Sequence, residues 1–423
     1  MKKKVFKGLD IDYYRETLEN GLEVVLIPML DKKNYFITYA TKYGSDITEF
    51  TPKDSEKEVK VPDGVAHFLE HKMFEQEDGV DPFTFFSKSG TGSNASTSYN
   101  FTQYICYGTK KFAENLRYLI RFVNIPYYTD ENVEKEKGII AQELNMYNDM
   151  PDFQLEMRLR QNLYHTLPRR VDIGGSVEEI YKITKEDLYT CYNNFYSPNN
   201  MFVVIGGNFN HKEALKIIYE ELELKENKPY PKVEEFNEKK EVRIKNDKFK
   251  SSIEVPKVAL GIKIPKKDLG NKDEFTNMLY LKMFTRLLFD SSSKFKEKVI
   301  EEKLMTDMYT EWENAYKYFT FYFMAETDTP SELLKEVKSE FENKDINEED
   351  FQRMKKVWIA NLVRKSDDPE SMVYDAFDDI LYNSEIIPDK IDRIRALDFK
   401  ELKNIIKKID FNNISTVVMT PNK

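Results

Sequence analysis

Two of the four histidines in the chain, His67 and His71, stand four residues apart in the string HFLEH, with Glu70 between them. At the composition of this 423-residue sequence, a His-x-x-Glu-His string arises by chance with a probability of about 0.004. On a helix, where successive residues turn by about 100°, the imidazoles fall about 40° apart and Glu70 lies about 60° to the other side of His67. Such a face offers two neutral imidazoles to one borderline ion such as zinc. A third protein ligand would leave the fourth position open, where the pKa of water falls to about 7. The carboxylate is then free as a base. It can take a proton from water during attack on a peptide carbonyl and return it to the departing amine.

The third donor has to come from another element, and the segment ENVEKEKGIIAQELNMYNDM has the right pattern. Val133, Ile140, Leu144 and Tyr147 form an apolar stripe on a helix expected over 130–149. Glu136 and Glu143, seven apart, lie within about 20° of each other in the same sector. A carboxylate there is costly unless it is paired or bound to metal. Glu136 has a second explanation, as a first-turn carboxylate favoured by the helix dipole. Between the two helices, GTGSNASTSYNFTQYICYG is small and polar before it turns aromatic. Gly90, Gly92 and Asn94 permit unusual backbone geometry, and a strand beginning at Ala95 with such short side chains can leave an edge open to an extended peptide. His165 and His211 sit in loop-like contexts without companion ligands and read as surface residues, and Cys106 and Cys191 read as small packing residues.

These elements belong to a chain with the composition of a folded protein. Apolar residues make up 40% and charged residues 33%, and 29 Phe and 26 Tyr supply much of the packing. A net charge of −10 repels phosphate backbones, so nucleic acid is not an expected partner. Two cysteines far apart in sequence cannot build a disulfide framework, the start MKKKVFKGLDIDYYRE lacks a signal-peptide apolar run, and no stretch reaches a membrane span. A cytoplasmic protein without membrane contact is expected. Asn20-Gly21 precedes a strand over 22–27, and a second strand, FITYATKYG, follows closely, which predicts a hairpin between them. Helices are expected over 110–124 and 185–195, a continuous strand pattern in ASTSYNFTQYICYG, and a buried strand in MFVVIGG. Helices and strands mix without regular alternation, which favours α+β. VEEIYKITKEDL and IDRIRALDFKEL match with an offset of 214 (391 − 177), each followed by a helix, an Asn-Asn turn and a β-branched strand. The offset predicts a duplicated domain, with its boundary in the charged run KENKPYPKVEEFNEKKE. The division is therefore a zinc-bearing domain over 1–225, a linker over 226–245 and a homologous second domain over 246–423.

HFLEH, GSNASTSYNFTQYICYG, EKEKGIIAQELNMYND and VDIGGSVEEIYKITKEDLYTCYNNFYSPNNMFVVIGGN, in this order, resemble the pitrilysin, insulinase and mitochondrial processing peptidase family, whose reversed zinc motif makes them inverzincins. The resemblance is closest to small bacterial members. It implies two tandem homologous α+β domains, each a mostly antiparallel sheet with helices packed on one face, and a zinc-dependent endopeptidase acting on extended peptides in a clamshell chamber. It implies zinc held by His67, His71 and Glu143, with Glu70 as general base and Glu136 a second carboxylate of the catalytic site. Asn94, Ala95, Ser96 and Thr97 correspond to the family's substrate edge strand. In the second half, SSSKFKEKVIEEKLMTDMY keeps a substrate-binding tyrosine, Tyr309, but lacks the arginine that precedes it in relatives. That gap implies a heterodimer with a homologous zinc-less subunit carrying the Arg/Tyr pair, a homodimer being the other arrangement. A non-catalytic peptide-binding or scaffold subunit is the competing reading.

Overall fold

The strand Met201–Gly207 is buried at all seven positions, which requires a neighbour on each side and a covered face above and below. In the computed structural model, which describes residues 1–222, 225–270 and 272–422, this strand is the centre of a seven-stranded sheet. The order is Lys2–Phe6, Ile11–Thr17, Glu23–Pro28, Met201–Gly207, Tyr35–Thr41, Thr102–Gly108, Gly92–Thr97. Only Glu23–Pro28 and Met201–Gly207 run parallel; the other neighbours are antiparallel. Two expectations need correction here. The Asn20-Gly21 turn closes a hairpin between Ile11–Thr17 and Glu23–Pro28, whereas Glu23–Pro28 and Tyr35–Thr41 are separated by the inserted central strand. ASTSYNFTQYICYG is two strands, because Ser98 donates its N–H to the Phe101 carbonyl at 2.8 Å and folds the segment into a hairpin.

A second sheet is ordered Asn246–Ser251, Ile414–Pro421, Lys257–Pro265, Tyr318–Glu326, Met308–Ala315, parallel for the first pair and antiparallel thereafter. The last five strands of the first sheet, from Glu23–Pro28 to Gly92–Thr97, have the same order and the same senses. The fold is α+β with two homologous domains, as the 214-residue offset implied.

The compact units are nevertheless not the contiguous 1–225 and 246–423 of the sequence expectation. One comprises Met1–Asn145, Asp172–Glu235 and Val363–Asp389, the other Met146–Val171, Phe236–Leu362 and Lys390–Lys423. The reason is a helix from each half that covers the far face of the other half's sheet. Pro369–Asn383 lays Met372, Val373, Ala376, Phe377 and Ile380 on Val25, Ile27, Phe36, Phe202 and Val204. Pro151–Leu163 likewise lays Leu155, Leu159 and Leu163 on Ala259, Val417 and Met419. In strand Glu23–Pro28, Val24 and Leu26 join the helix-covered core of the first unit while Val25 and Ile27 face the exchanged helix. The alternation of a strand is thus apolar on both sides.

Among the described residues no helix is long and apolar enough to cross a membrane, and Cys106 and Cys191 are buried free thiols. Phe377, 2% exposed, has the rings of Phe101 and Phe202 each at 5.0 Å. Phe377→Ala should therefore destabilise the first unit by about 3 to 5 kcal/mol, read as a lower urea midpoint. An unchanged midpoint would mean that this helix is not part of that unit's core.

Candidate metal centre

The helix carrying the histidines, Val65–Met73, buries Val65, Phe68, Leu69 and Met73 in the first unit's core and turns His67 and His71 to its partly exposed side. Its entry is set by glycines. Gly64 has φ +88°, and a Cβ there would meet the Gly174 carbonyl oxygen at 2.2 Å; a Cβ on Gly175, at φ +76°, would meet the Asp63 carbonyl at 2.4 Å. Gly174 is itself tight, with its Cβ position 2.6 Å from Leu144 Cδ2 and 3.4 Å from His67 Nδ1. The Gly174-Gly175 pair thus lets a loop lie against both the histidine helix and the helix Asp130–Asn148. The double glycine was visible in VDIGGS, but its partner Gly64 is 110 positions away (174 − 64), and no local pattern connects the two.

His67, His71 and Glu143 form the one cluster of potential metal ligands among the described residues, their ligand atoms all within 4.8 Å of one another. Glu143 Oε2 lies 3.4 Å from His71 Nε2 and 3.9 Å from His67 Nε2. Donors about 2.0 to 2.1 Å from a tetrahedral zinc ion lie about 3.3 Å apart, so the Glu143–His71 edge already has that length and the Glu143–His67 edge has to shorten by a few tenths of an ångström. The electrostatics fit as well. Burial, and then the neighbouring His71, push the His67 pKa down to about 4, leaving the neutral imidazole that ligates. Burial also opposes charge on His71, but the hydrogen bonds its ring N–H groups donate to Glu136 and Glu143 outweigh it and hold its pKa up to about 10. The carboxylates therefore stabilise positive charge where the donors converge.

Glu136, expected as a catalytic carboxylate, is placed differently. Its Oε1 is 3.1 Å from His71 Nδ1, and its Oε2 is 3.7 Å from Nζ of the fully buried Lys72. With Nδ1–H directed at Glu136, Nε2 is the nitrogen that can give up its proton and ligate a metal, an arrangement that suits Glu136 to positioning His71 rather than to catalysis. Lys72, which also pairs with Glu75, was not singled out from the sequence; a lysine on the buried side of an apolar helix was its only signal. Burial raises the Glu136 pKa, but His71 and Lys72 more than offset this and keep it ionised.

Glu70 is 8% exposed, and its Oε2 accepts the Thr97 hydroxyl at 2.8 Å. Thr97 thus has a defined task that its place in the expected substrate strand did not disclose. Burial pushes the Glu70 pKa up and the Thr97 bond pulls it down, with burial dominant. Gly92–Thr97 is an edge strand paired only with Thr102–Gly108, and it starts three residues before the expected Ala95. Asn94 and Ser96 are exposed and Ala95 half-buried. Tyr309 belongs to the other compact unit, where its hydroxyl donates to Glu311 at 2.7 Å. Among the described residues His165 and His211 join no metal-ligand cluster: His165 Nε2 lies 3.2 Å from the Glu241 carbonyl, and His211 stacks on Tyr14 at 4.1 Å.

If Glu136 orients His71, Glu136→Ala should weaken zinc binding about 10- to 100-fold, and Glu136→Gln, which keeps an acceptor, should weaken it less. Competition with a chelator measures both, and undiminished affinity of the alanine variant would contradict the assignment.

Comparisons with known proteins bear on the family and the fold. The family model described as Insulinase (Peptidase family M16) matches residues 55–173, and that described as Peptidase M16 inactive domain matches residues 182–357. The chain is 32% identical over 408 residues to the zinc protease YmfH of Bacillus subtilis, covering 95% of each chain. The crystal structure of an M16-like peptidase from Alicyclobacillus acidocaldarius superposes with a TM-score of 0.91 at 28% identity, covering 99% of this chain and 100% of that one. A protease from Helicobacter pylori shares the fold, with a TM-score of 0.82 at 20% identity over 97% of this chain and 99% of that one. With His67, His71 and Glu143 able to hold zinc as its cofactor, the chain belongs to the insulinase family of zinc peptidases, family M16.

Proposed function

We propose that this chain is the zinc-bearing, catalytic subunit of a cytoplasmic endopeptidase that cleaves extended peptides inside a clamshell chamber, with a homologous zinc-less subunit completing the site. The observation that carries this reading is the 2.8 Å hydrogen bond from the Thr97 hydroxyl to Glu70, which ties the proposed base to the end of an edge strand. His67, His71 and Glu143 hold the ion, which when bound supplies Lewis-acid polarisation of the scissile carbonyl. Glu70 Oε accepts a proton from the attacking water and delivers it to the leaving amine nitrogen. Glu136 keeps His71 in the ligating tautomer throughout.

Substrate positioning falls to the edge strand. Because Ser98 bonds back to Phe101, the antiparallel alternation turns the backbone groups of Ala95 and Thr97 away from their sheet partner, and there the Thr97 N–H donates to Glu70. The Ala95 N–H is met by Asn94 Oδ1 at 2.9 Å, a local bond that an incoming strand can replace. Asn94, Ala95, Ser96 and Thr97 therefore suit strand addition by an extended chain. The heterodimer is supported by the sequence before Tyr309, which offers no arginine to clamp a substrate carbonyl. The same gap favours the second reading, a peptide-binding or scaffold subunit without activity.

Glu70→Gln should retain zinc and fold yet lose peptide cleavage in the presence of the partner; persistent cleavage would remove Glu70 as the base, and an inactive wild type would favour the scaffold. Thr97→Val removes a bond to the charged form of Glu70 and so raises its pKa. The acid limb of the pH profile of kcat/KM should move to higher pH with zinc content unchanged, and a limb that stays or falls would contradict the role of Thr97. Addition of a homologous Arg/Tyr-bearing subunit should raise cleavage at least about tenfold, or about 1.4 kcal/mol of transition-state stabilisation. Full activity of the chain alone, unaffected by a partner, would leave a monomer or homodimer.

A further inference from the structure

The second unit repeats the geometry of the zinc site with different side chains. Helix Glu274–Phe289, helix Glu348–Lys365 and edge strand Met308–Ala315 stand where the first unit has Val65–Met73, Asp130–Asn148 and Gly92–Thr97. One offset, 215 residues (282 − 67), carries His67, Glu70 and His71 onto Lys282, Thr285 and Arg286. The same offset carries Thr97 onto Trp312 and Glu143 onto Trp358. All five counterparts line a single cavity of about 360 Å³, together with Thr310 and Glu311. Even the hydrogen bond recurs: Trp312 Nε1 donates to Thr285 Oγ1 at 2.9 Å, as Thr97 donates to Glu70 at 2.8 Å. Thr285, 5% exposed, is as buried as Glu70.

The chemistry of the cavity is inverted. Two imidazoles have become an ammonium and a guanidinium, and the ligand carboxylate has become an indole. The position of Glu136 is taken by Phe351, which is buried in the core. Of the acidic groups nearby, Glu311 accepts the Tyr309 hydroxyl at 2.7 Å, and Asp290 engages one guanidinium nitrogen of Arg286 at 3.4 Å. Arginine carries five N–H donors in a planar fork that matches a carboxylate. We propose that this cavity binds a carboxylate borne on an aromatic group, the anion held between Lys282 and Arg286 and the ring laid against Trp312 and Trp358. The volume suits a small ligand of this class, and indole faces favour a flat apolar group. A free aromatic acid and the aromatic C-terminal residue of a peptide present the same chemistry.

The sequence contains two tryptophans, and both line this cavity, so intrinsic indole fluorescence reports on it directly. The zinc-loaded full chain is titrated with phenylacetate, N-acetylphenylalanine and N-acetylphenylalaninamide. Both acids should change the emission saturably, and the amide should bind at least about tenfold more weakly. Comparable binding of the two acids supports a free acid as the occupant, and tighter binding of N-acetylphenylalanine supports a peptide C-terminus. Arg286→Ala, at an exposed position, should weaken both acids at least about tenfold. Glu143→Gln should leave them unchanged, which separates this cavity from a carboxylate captured by zinc. No saturable change up to about 10 mM of either acid, equal binding of the amide, or loss of the signal in Glu143→Gln would overturn the proposal.

Discussion

A buried imidazole can offer one nitrogen lone pair only if its other nitrogen keeps the proton, and the Glu136 carboxylate 3.1 Å from Nδ1 makes that choice for His71. The remainder of the site follows from it. Nε2 is left to face Glu143, and a second helix has to approach closely enough to deliver both Glu136 and Glu143. The glycines at 64, 174 and 175 make room for the loop that seats these helices. A side chain at any of the three would move the histidines relative to their carboxylates, so the backbone crossing and the choice of tautomer are parts of one constraint.

Charge is the cost of this arrangement. Glu70, Glu136 and Glu143 stand around two imidazoles in a partly buried space, and carboxylates so placed are unfavourable without compensation. Lys72, with no exposed side-chain surface, supplies part of it from beneath Glu136. The second unit meets a similar problem with charged side chains. Burial would raise the pKa of Glu313, but Arg160 and Arg169 hold it down to about 2, with the Tyr322 hydroxyl donating at 2.6 Å. The carboxylate there is neutralised by cations of the chain itself. Around His67 and His71 the net arrangement is negative, which is what a site for a divalent ion requires.

The elements that follow one period were legible in the sequence. The helix over 185–195 was read at its observed bounds because Leu188, Cys191 and Phe195 keep a helical spacing, and the structure adds a Thr184–Asp187 capping box that fixes its start. The zinc motif was legible because histidine is rare in this chain and its i, i+4 spacing has one geometric meaning. Three features were not legible, for physical reasons. The strand Met201–Gly207 enters the sheet between two strands that are neighbours in sequence, and strand order depends on distant pairing. The exchange of helices Pro151–Leu163 and Pro369–Asn383 leaves their amphipathic patterns unchanged, since an apolar stripe does not say which sheet it covers. Thr97 looked like any small residue of an edge strand, and its bond to Glu70 depends on a register that only the folded hairpin sets.

The duplication unites the two halves of the account: one framework of edge strand and two helices places five side chains toward one point, and residue type alone decides whether that point suits a cation or an anion. The central claim is that the first unit holds zinc by two imidazoles and one carboxylate with a position left open. X-ray absorption at the zinc edge of the zinc-loaded chain tests it most directly. The account predicts a four-coordinate ion with two imidazole nitrogens and two oxygens, no sulfur, and loss of one oxygen ligand when Glu143 is replaced by alanine. A spectrum with a sulfur ligand, with a third imidazole, or unaltered by that replacement would contradict it.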